Sequence, residues 1–182
     1  TMEDRYAKSI RYDIEKAQRK GLRCATGSVV APLVRLCREQ GYYPSALLDK
    51  LPELWNAIAA RDIGKLLYVY DPSGETVCGA LFLQDGDTFT YLMASTASGF
   101  KNSGANSLLL SEALRIAQQQ AGLQLFDFEG SMVESIEHYF RGFGAKPRVY
   151  YNIQRNDLPL IHRLAYLAKQ RLVQEHSIKS PQ

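Results

Sequence analysis

The chain has 182 residues, a hydrophobic fraction of 46%, a charged fraction of 23% and a formal net charge of +3. A domain of that size buries a substantial core without disulfides or metals, and so weak a basic charge permits an anionic ligand without arguing for nucleic acid. No apolar run approaches the roughly 20 residues that span a bilayer and no secretory leader pattern opens the sequence, so cytoplasmic residence is the default expectation. Thr1-Met2 reads as a remnant ahead of a chosen start, which leaves room for a longer natural protein. Cys24, Cys37 and Cys78 are widely spaced in apolar surroundings and read as buried free thiols. They form no CxxC pair, and His138, His162 and His176 stand apart from them, so no metal site is expected.

In chain order, Asp4 to Lys20 carries Tyr6, Ile10, Ile14 and Ala17 on one face and stops at Gly21, which predicts an amphipathic helix. A short strand over Leu22–Thr26 follows. Gly27-Ser28 reads as the cap of a helix that turns Val30, Leu33, Val34 and Cys37 inward and ends at Gly41, with Pro32 tolerated in its first turn. Ser45–Lys50 and Pro52–Ala60 predict a pair of helical pieces with Leu47, Leu48, Leu51, Trp55 and Ile58 on apolar stripes. Lys65 to Met93 then reads as an antiparallel meander. Its strands are Leu66–Tyr70, Thr76–Leu83 and Thr88–Met93, joined by the turn Asp71-Pro72-Ser73-Gly74 and the hairpin signal Asp85-Gly86. Ala94 to Gly104 is small, polar and loop-like, and Ala105 to Ala121 is helical up to Gly122. Leu123 to Asn152 reads as strand, helix, strand. A last helix covers Leu158–Val173, and residues 174–182 form a frayed tail behind a single domain over residues 1–173.

The strand–helix–strand unit holds the chemistry-bearing corner. Asp127, Glu129, Gly130 and Ser131 fall at the carboxyl end of its first strand, the end where open α/β sheets place ligands. On a strand, Asp127 and Glu129 alternate with Phe126 and Phe128, so the two carboxylates share one face. Either carboxylate suits a general base or a partner for a cationic substrate. Alternatively Asp127 caps the next turn or pairs with Arg141 or Arg148, and Ser131 caps the following helix. Tyr68, Tyr70, Phe82, Phe89, Tyr91, Tyr150 and Tyr151 read as sheet core, with a substrate-stacking surface as the alternative. Arg5, Lys8, Arg11, Lys16, Arg19 and Lys20 read as a solvated face, or as the patch that a phosphate backbone needs.

The order of these elements resembles the GNAT acyltransferase fold, an α/β fold (α+β, mixed sheet) whose central, mostly antiparallel sheet is flanked by helices. The run Phe126-Asp127-Phe128-Glu129-Gly130-Ser131, with Phe143-Gly144 closing the helix that follows, resembles a signature of the Fem-type branch of that superfamily. The basic first helix ending in Lys20-Gly21 is similar to that branch's opening helix. The resemblance runs from Tyr6 to Gln154.

It implies acyl transfer from acetyl-CoA or another acyl-CoA to an amine acceptor, a small molecule or peptide-like. In one Fem-type subgroup the donor is instead an aminoacyl-tRNA and the acceptor a cell-wall precursor. Those enzymes usually carry two such halves, and this chain has room for one. A degenerate module that binds without turnover is the third reading. The resemblance places the donor's phosphates at Lys101-Asn102-Ser103-Gly104-Ala105-Asn106, where orphan amides and the helix dipole favour anions. Lys101 and Asn106 depart from the family's Gln/Arg and small residue at those places. Backbone amides of Leu92, Met93 and Ala94 are the implied oxyanion donors. The position where many CoA-dependent members carry a tyrosine falls on Phe140, which has no proton to give. Tyr139 is its neighbour, about 100° round the helix, and His138 is the other substitute. Glu129, Asp127 and Tyr139 are thus the candidate catalytic residues. An exposed sheet edge leaves room for a homodimer.

Overall fold

The structure is a computed structural model of the chain and describes residues 3–130, 133–149 and 151. Thr1–Pro147 forms one compact unit and Arg148–Gln182 a second. The expected helix at Leu158–Val173, the tail, the reach of a single domain to residue 173, and the readings of Ser131, Tyr150, His162 and His176 lie outside the described residues.

Helices and strands follow in the order α1 (Lys8–Arg19), β1 (Arg23–Gly27), α2 (Ala31–Gln40), α3 (Ser45–Ala59), β2 (Gly64–Tyr70), β3 (Thr76–Asp85), β4 (Thr88–Thr96), α4 (Ala105–Gln119), β5 (Leu125–Asp127) and α5 (Glu134–Arg141). The five strands lie in the order β1-β2-β3-β4-β5. Every neighbouring pair is antiparallel except β4–β5, which is parallel. Mixed sheet and flanking helices match the fold class expected. Among the described residues, no helix is long and apolar enough to cross a membrane.

Two apolar layers sandwich the sheet. On one face Ile10, Ile14 and Ala17 of α1 meet Leu109, Leu110 and Ala113 of α4 over Leu67, Val69, Ala80 and Phe82. On the other, Leu33 and Cys37 of α2 and Leu48, Leu51, Trp55 and Ile58 of α3 cover Leu66, Tyr68, Leu81 and Met93. Tyr68 fixes how closely the strands and α2 approach. Its ring fills the space that a Cβ on Gly27 or Gly79 would need, and its hydroxyl donates to the Val29 carbonyl at 2.7 Å.

Several boundaries differ from the sequence reading. The first helix starts at Lys8 because the chain before it forms a 3-10 turn, Glu3–Arg5, and the Ala7 amide donates to the Gly142 carbonyl. Ser28 does not cap α2. Val30 occupies the cap position without a side-chain bond, and the Ser28 carbonyl accepts the Trp55 indole N–H at 3.0 Å. The expected helical pair is one helix, α3, with Pro52 inside it. Proline forfeits one N–H bond, but Pro52 faces solvent while Leu48, Leu51, Trp55 and Ile58 continue one buried stripe. β4 runs to Thr96, past the expected end at Met93, because Ala94, Ser95 and Thr96 pair with Ala80, Gly79 and Cys78. Ala145–Val149, part of the expected last strand, is not in strand conformation.

α1 and the start of α4 meet backbone to backbone. Gly104 has φ 83°, and a Cβ there would overlap the Asp13 carbonyl of α1. Gly104→Ala therefore combines a left-handed penalty with a steric one and is expected to destabilise by about 2 kcal/mol or more. A lower urea midpoint at unchanged slope is the expected readout, and an unchanged midpoint would refute this packing of α1 on α4.

Candidate active site

The site begins where β4 leaves β5. The parallel ladder pairs only Thr88 with Leu125, Phe89 with Phe126 and Thr90 with Asp127. β5 is held there by aromatic packing, with Phe126 5.9 Å from Phe89 and Phe128 4.8 Å from Phe140, ring centre to ring centre. On β4 the pairing with β3 skips a residue. Tyr91 faces Phe82 and Met93 faces Leu81, so Leu92 is a bulge that bends the strand. Past Thr90 the β5-facing edge of β4 therefore has no strand partner among the described residues. Leu92 is exposed, Met93 is buried toward α2 and α3, and Ala94 is half-buried. The Ala94 carbonyl accepts the Tyr43 hydroxyl at 3.4 Å. The three residues expected to supply oxyanion donors thus sit together at the opening.

The two carboxylates do not share a strand face. β5 ends at Asp127, and Glu129 lies beyond it with φ 63°. The cause is local: the Asp127 carboxylate accepts the Glu129 amide N–H at 2.9 Å and turns the chain. A left-handed non-glycine residue costs on the order of 1 kcal/mol, which that bond offsets. Both side chains are exposed, Asp127 as the brace of the turn and Glu129 at its corner. Arg141, one suggested partner of Asp127, pairs with Glu137 on its own helix.

The start of α4 is half open and half covered. Lys101 and Asn102 are exposed, whereas Ser103, Gly104 and Ala105 are buried. The Ser103 hydroxyl donates to the Phe100 carbonyl at 2.6 Å and accepts the Ala105 N–H at 3.2 Å, so one first-turn amide is already spent. Helix geometry leaves the amides of Asn106 and Ser107 without intrahelical partners. The Lys101 ammonium donates to the Tyr42 hydroxyl at 3.1 Å and stands 5.4 Å from that ring's centre.

Asn106 turns its side chain inward. Its Oδ1 accepts the Tyr91 hydroxyl at 3.0 Å, and its Nδ2 donates to the Tyr139 hydroxyl at 3.3 Å. Ser107 Oγ lies 2.9 Å from the same Tyr139 oxygen. The chain continues on the far side, since Thr96 Oγ1 donates to Cys78 Sγ at 3.1 Å and Cys78 Sγ lies 3.9 Å from Asn106 Oδ1. Burial pushes the Tyr91 and Tyr139 phenols above their usual values, and it lifts the Cys78 and Cys24 thiols to about 12 and Cys37 to about 11. Cys37 and Cys78 are buried free thiols as expected, whereas Cys24 is a free thiol that is only half-buried. Phe140 is buried beside Phe128, and His138 is exposed on α5. Among the described residues no group of three or more His, Cys, Asp or Glu could hold a metal. Tyr42, Tyr43 and Ser107 escaped sequence reasoning as candidate site residues, and Tyr91 was read only as sheet core or a stacking surface. No short-range pattern marks them, because their partners lie 15 to 59 positions away.

The acetyltransferase (GNAT) domain family matches residues 4–141. Among solved structures the chain is similar to FemX, with TM-score 0.64 and 11% identity over 78% of this chain and 54% of that one. It is also similar to a Pyrococcus furiosus protein described as an acetyl transferase, with TM-score 0.61 and 14% identity over 74% and 99% of the two chains. A third is AAC(6')-Iy bound to CoA-S-monomethyl-acetylneamine, a bisubstrate analogue, with TM-score 0.56 and 11% identity over 74% and 99%. No curated protein matches in sequence. With most of its length covered by the one domain, the chain belongs to the GNAT acetyltransferase family.

Proposed function

We propose that the chain is an N-acyltransferase that moves an acyl group from acyl-CoA, acetyl-CoA first among candidates, to an amine. The observation that carries this is the parting of β4 from β5 at a bulge. It exposes a backbone edge at Leu92–Ala94, within reach of a network that starts at the first turn of α4. A thioester carbonyl set against that edge finds N–H donors for the oxyanion. The first-turn amide of the half-buried Asn106, the helix dipole and the exposed Lys101 favour the donor's phosphates nearby. To take up that role Lys101 exchanges its contact with Tyr42 for a phosphate oxygen.

In the reaction the amine nitrogen attacks the thioester carbon, and the tetrahedral oxyanion collapses with cleavage of the carbon–sulfur bond. The nitrogen's surplus proton goes to Glu129, directly or through water, and the sulfur leaves as thiolate. Asp127 holds the Glu129 turn in place. Tyr139 offers a hydrogen bond to the thiolate. Its phenol holds its proton more tightly than a thiol does, so it stabilises the leaving group without surrendering the proton. The reading includes work in the cytoplasm on a small-molecule or peptide-like amine, and the outer edge of β1 is compatible with a homodimer.

A second reading is aminoacyl transfer from tRNA. It is favoured by the similarity to FemX and by the exposed Lys8, Arg11, Arg19 and Lys20 of α1. Binding to tRNA would fall steeply with salt.

Calorimetric titration with acetyl-CoA is expected to give a dissociation constant in roughly the 1 μM to 1 mM range typical of enzyme substrates. Lys101→Glu is expected to weaken it about tenfold. No binding to wild type would overturn the acyl-CoA reading and leave aminoacyl-tRNA as the donor to test. Glu129→Gln is expected to lower turnover by roughly a hundredfold at unchanged donor affinity, and full activity would remove Glu129 from the mechanism. The Tyr139 phenol ionises near pH 10 in the unfolded chain but holds its proton beyond that when folded. Its contribution to stability is therefore complete below about pH 10 and falls as the pH rises above it. Phenolate absorbance of wild type minus Tyr139→Phe is expected to be silent at about pH 10, and a full signal there would remove the protonated-donor role.

A further inference from the structure

We infer that the Asn106 side chain is a positioning residue and not a phosphate ligand: it fixes the spacing between the turn that receives the donor's phosphates and the bulge at Leu92 where the acyl group reacts. The inference rests on the acyl-CoA reading above.

The donor has a fixed covalent length between its phosphates and its thioester. Phosphate binding depends on the start of α4 alone, but chemistry requires that start and the bulged edge of β4 to be held at one separation. The ladder with β5 does not hold that edge, because it ends at Thr90. Asn106 supplies a tie instead. Tyr91, the first β4 residue past the ladder and the one before the bulge, donates its hydroxyl to Asn106 Oδ1 at 3.0 Å. Thr96, the last residue of β4, reaches the same oxygen through Cys78. Both ends of the stretch of β4 that pairs with β3 but not with β5 therefore converge on one amide carbonyl.

The other half of that amide faces α5. Nδ2 donates to the Tyr139 hydroxyl, which Ser107 also contacts. So the first turn of α4 is gripped from the strand side and from the helix side by neighbouring side chains. The carbonyl and one of the two N–H donors of the amide are committed to the interior, which orients the side chain away from a phosphate-binding pose. A small residue at this place would leave the Tyr91 hydroxyl without its partner in an apolar layer, at a cost that the amide removes.

The two roles give opposite kinetics, so the test is a split between donor affinity and turnover in Asn106→Ala, Asn106→Asp and Tyr91→Phe. Donor affinity is read by acetyl-CoA calorimetry and turnover at saturating acetyl-CoA with an accepted amine. Asn106→Ala is expected to lower kcat roughly tenfold to a hundredfold while changing the donor dissociation constant less than about threefold. Tyr91→Phe is expected to reproduce the fall in kcat, and the double variant to be no worse than the larger single one. Asn106→Asp keeps the shape and the acceptor for Tyr91 but loses the donor to Tyr139. It is expected to retain an intermediate kcat, and it carries the test if the alanine variant does not melt cooperatively. A dissociation constant raised about tenfold at unchanged kcat would make Asn106 a ligand and overturn the inference. Unchanged kcat in all variants, or strictly additive losses, would overturn it as well. Wild type that neither binds acetyl-CoA nor turns over would sink the acyl-CoA reading itself, a failure visible before any variant is made, and the inference would fall with it.

Discussion

A parallel strand pair that is allowed to form over only three residues governs this molecule. β5 is pinned to β4 at Thr88–Thr90 by the packing of Phe126 and Phe128 among Phe89, Phe140 and Phe143, and among the described residues no further pairing follows. Two local events end it. Asp127 captures the Glu129 amide and swings the chain into a left-handed corner, and the bulge at Leu92 bends β4. Neither event alone frees the edge of β4, since a straight β4 would still offer it to a continuing β5. Together they leave the β5-facing edge of β4 without a strand partner past Thr90 among the described residues, and it is against this edge that the proposed donor would lie.

That opening has to be supported from behind, and the support is polar. Thr96, Cys78, Asn106, Tyr91, Tyr139 and Ser107 form a chain of hydrogen bonds inside an otherwise aromatic and aliphatic layer. Desolvating these groups is costly unless each has a partner, and in return satisfied buried networks select one arrangement of the elements they join. Here they join β3, β4, α4 and α5. Apolar side chains in the same places would hold the layers together just as firmly, but without fixing α4 at one position along β4.

Much of this was legible in the sequence. The stripes of α1 and α4, the meander from β2 to β4 and the apolar setting of the thiols follow from periodicity and turn chemistry, which are local. The Phe-Asp-Phe-Glu-Gly-Ser run identified the family, because the corner it builds is also local. Glu129 was misplaced for a physical reason. Alternation of aromatic and acidic residues continues past Asp127, but strand pairing does not, and nothing within the run shows where a ladder stops. Pro52 misled in the opposite direction, since a break that propensity favours was overridden by four buried contacts on one stripe. The inward turn of Asn106 was invisible. It depends on Tyr91 and Tyr139, which approach only when sheet, α4 and α5 have assembled.

Gly104 shows how one residue answers to two demands. A glycine opening the central helix suggests close approach of a phosphate, and a left-handed φ is what such a loop uses. In this chain the space beside its Cα is filled by the Asp13 carbonyl, so α1 is what requires the missing side chain. Ser103, Gly104 and Ala105 are consequently covered, and the Ala105 amide is taken by Ser103. What stays open at this end of α4 is the half-buried Asn106 with the exposed Lys101 and Asn102, since Ser107 is as buried as Ser103. Asn106 and Ser107 are also the residues whose side chains grip Tyr139. In the proposed acyl-CoA complex the donor's phosphates would meet peptide units whose side chains already hold the internal network.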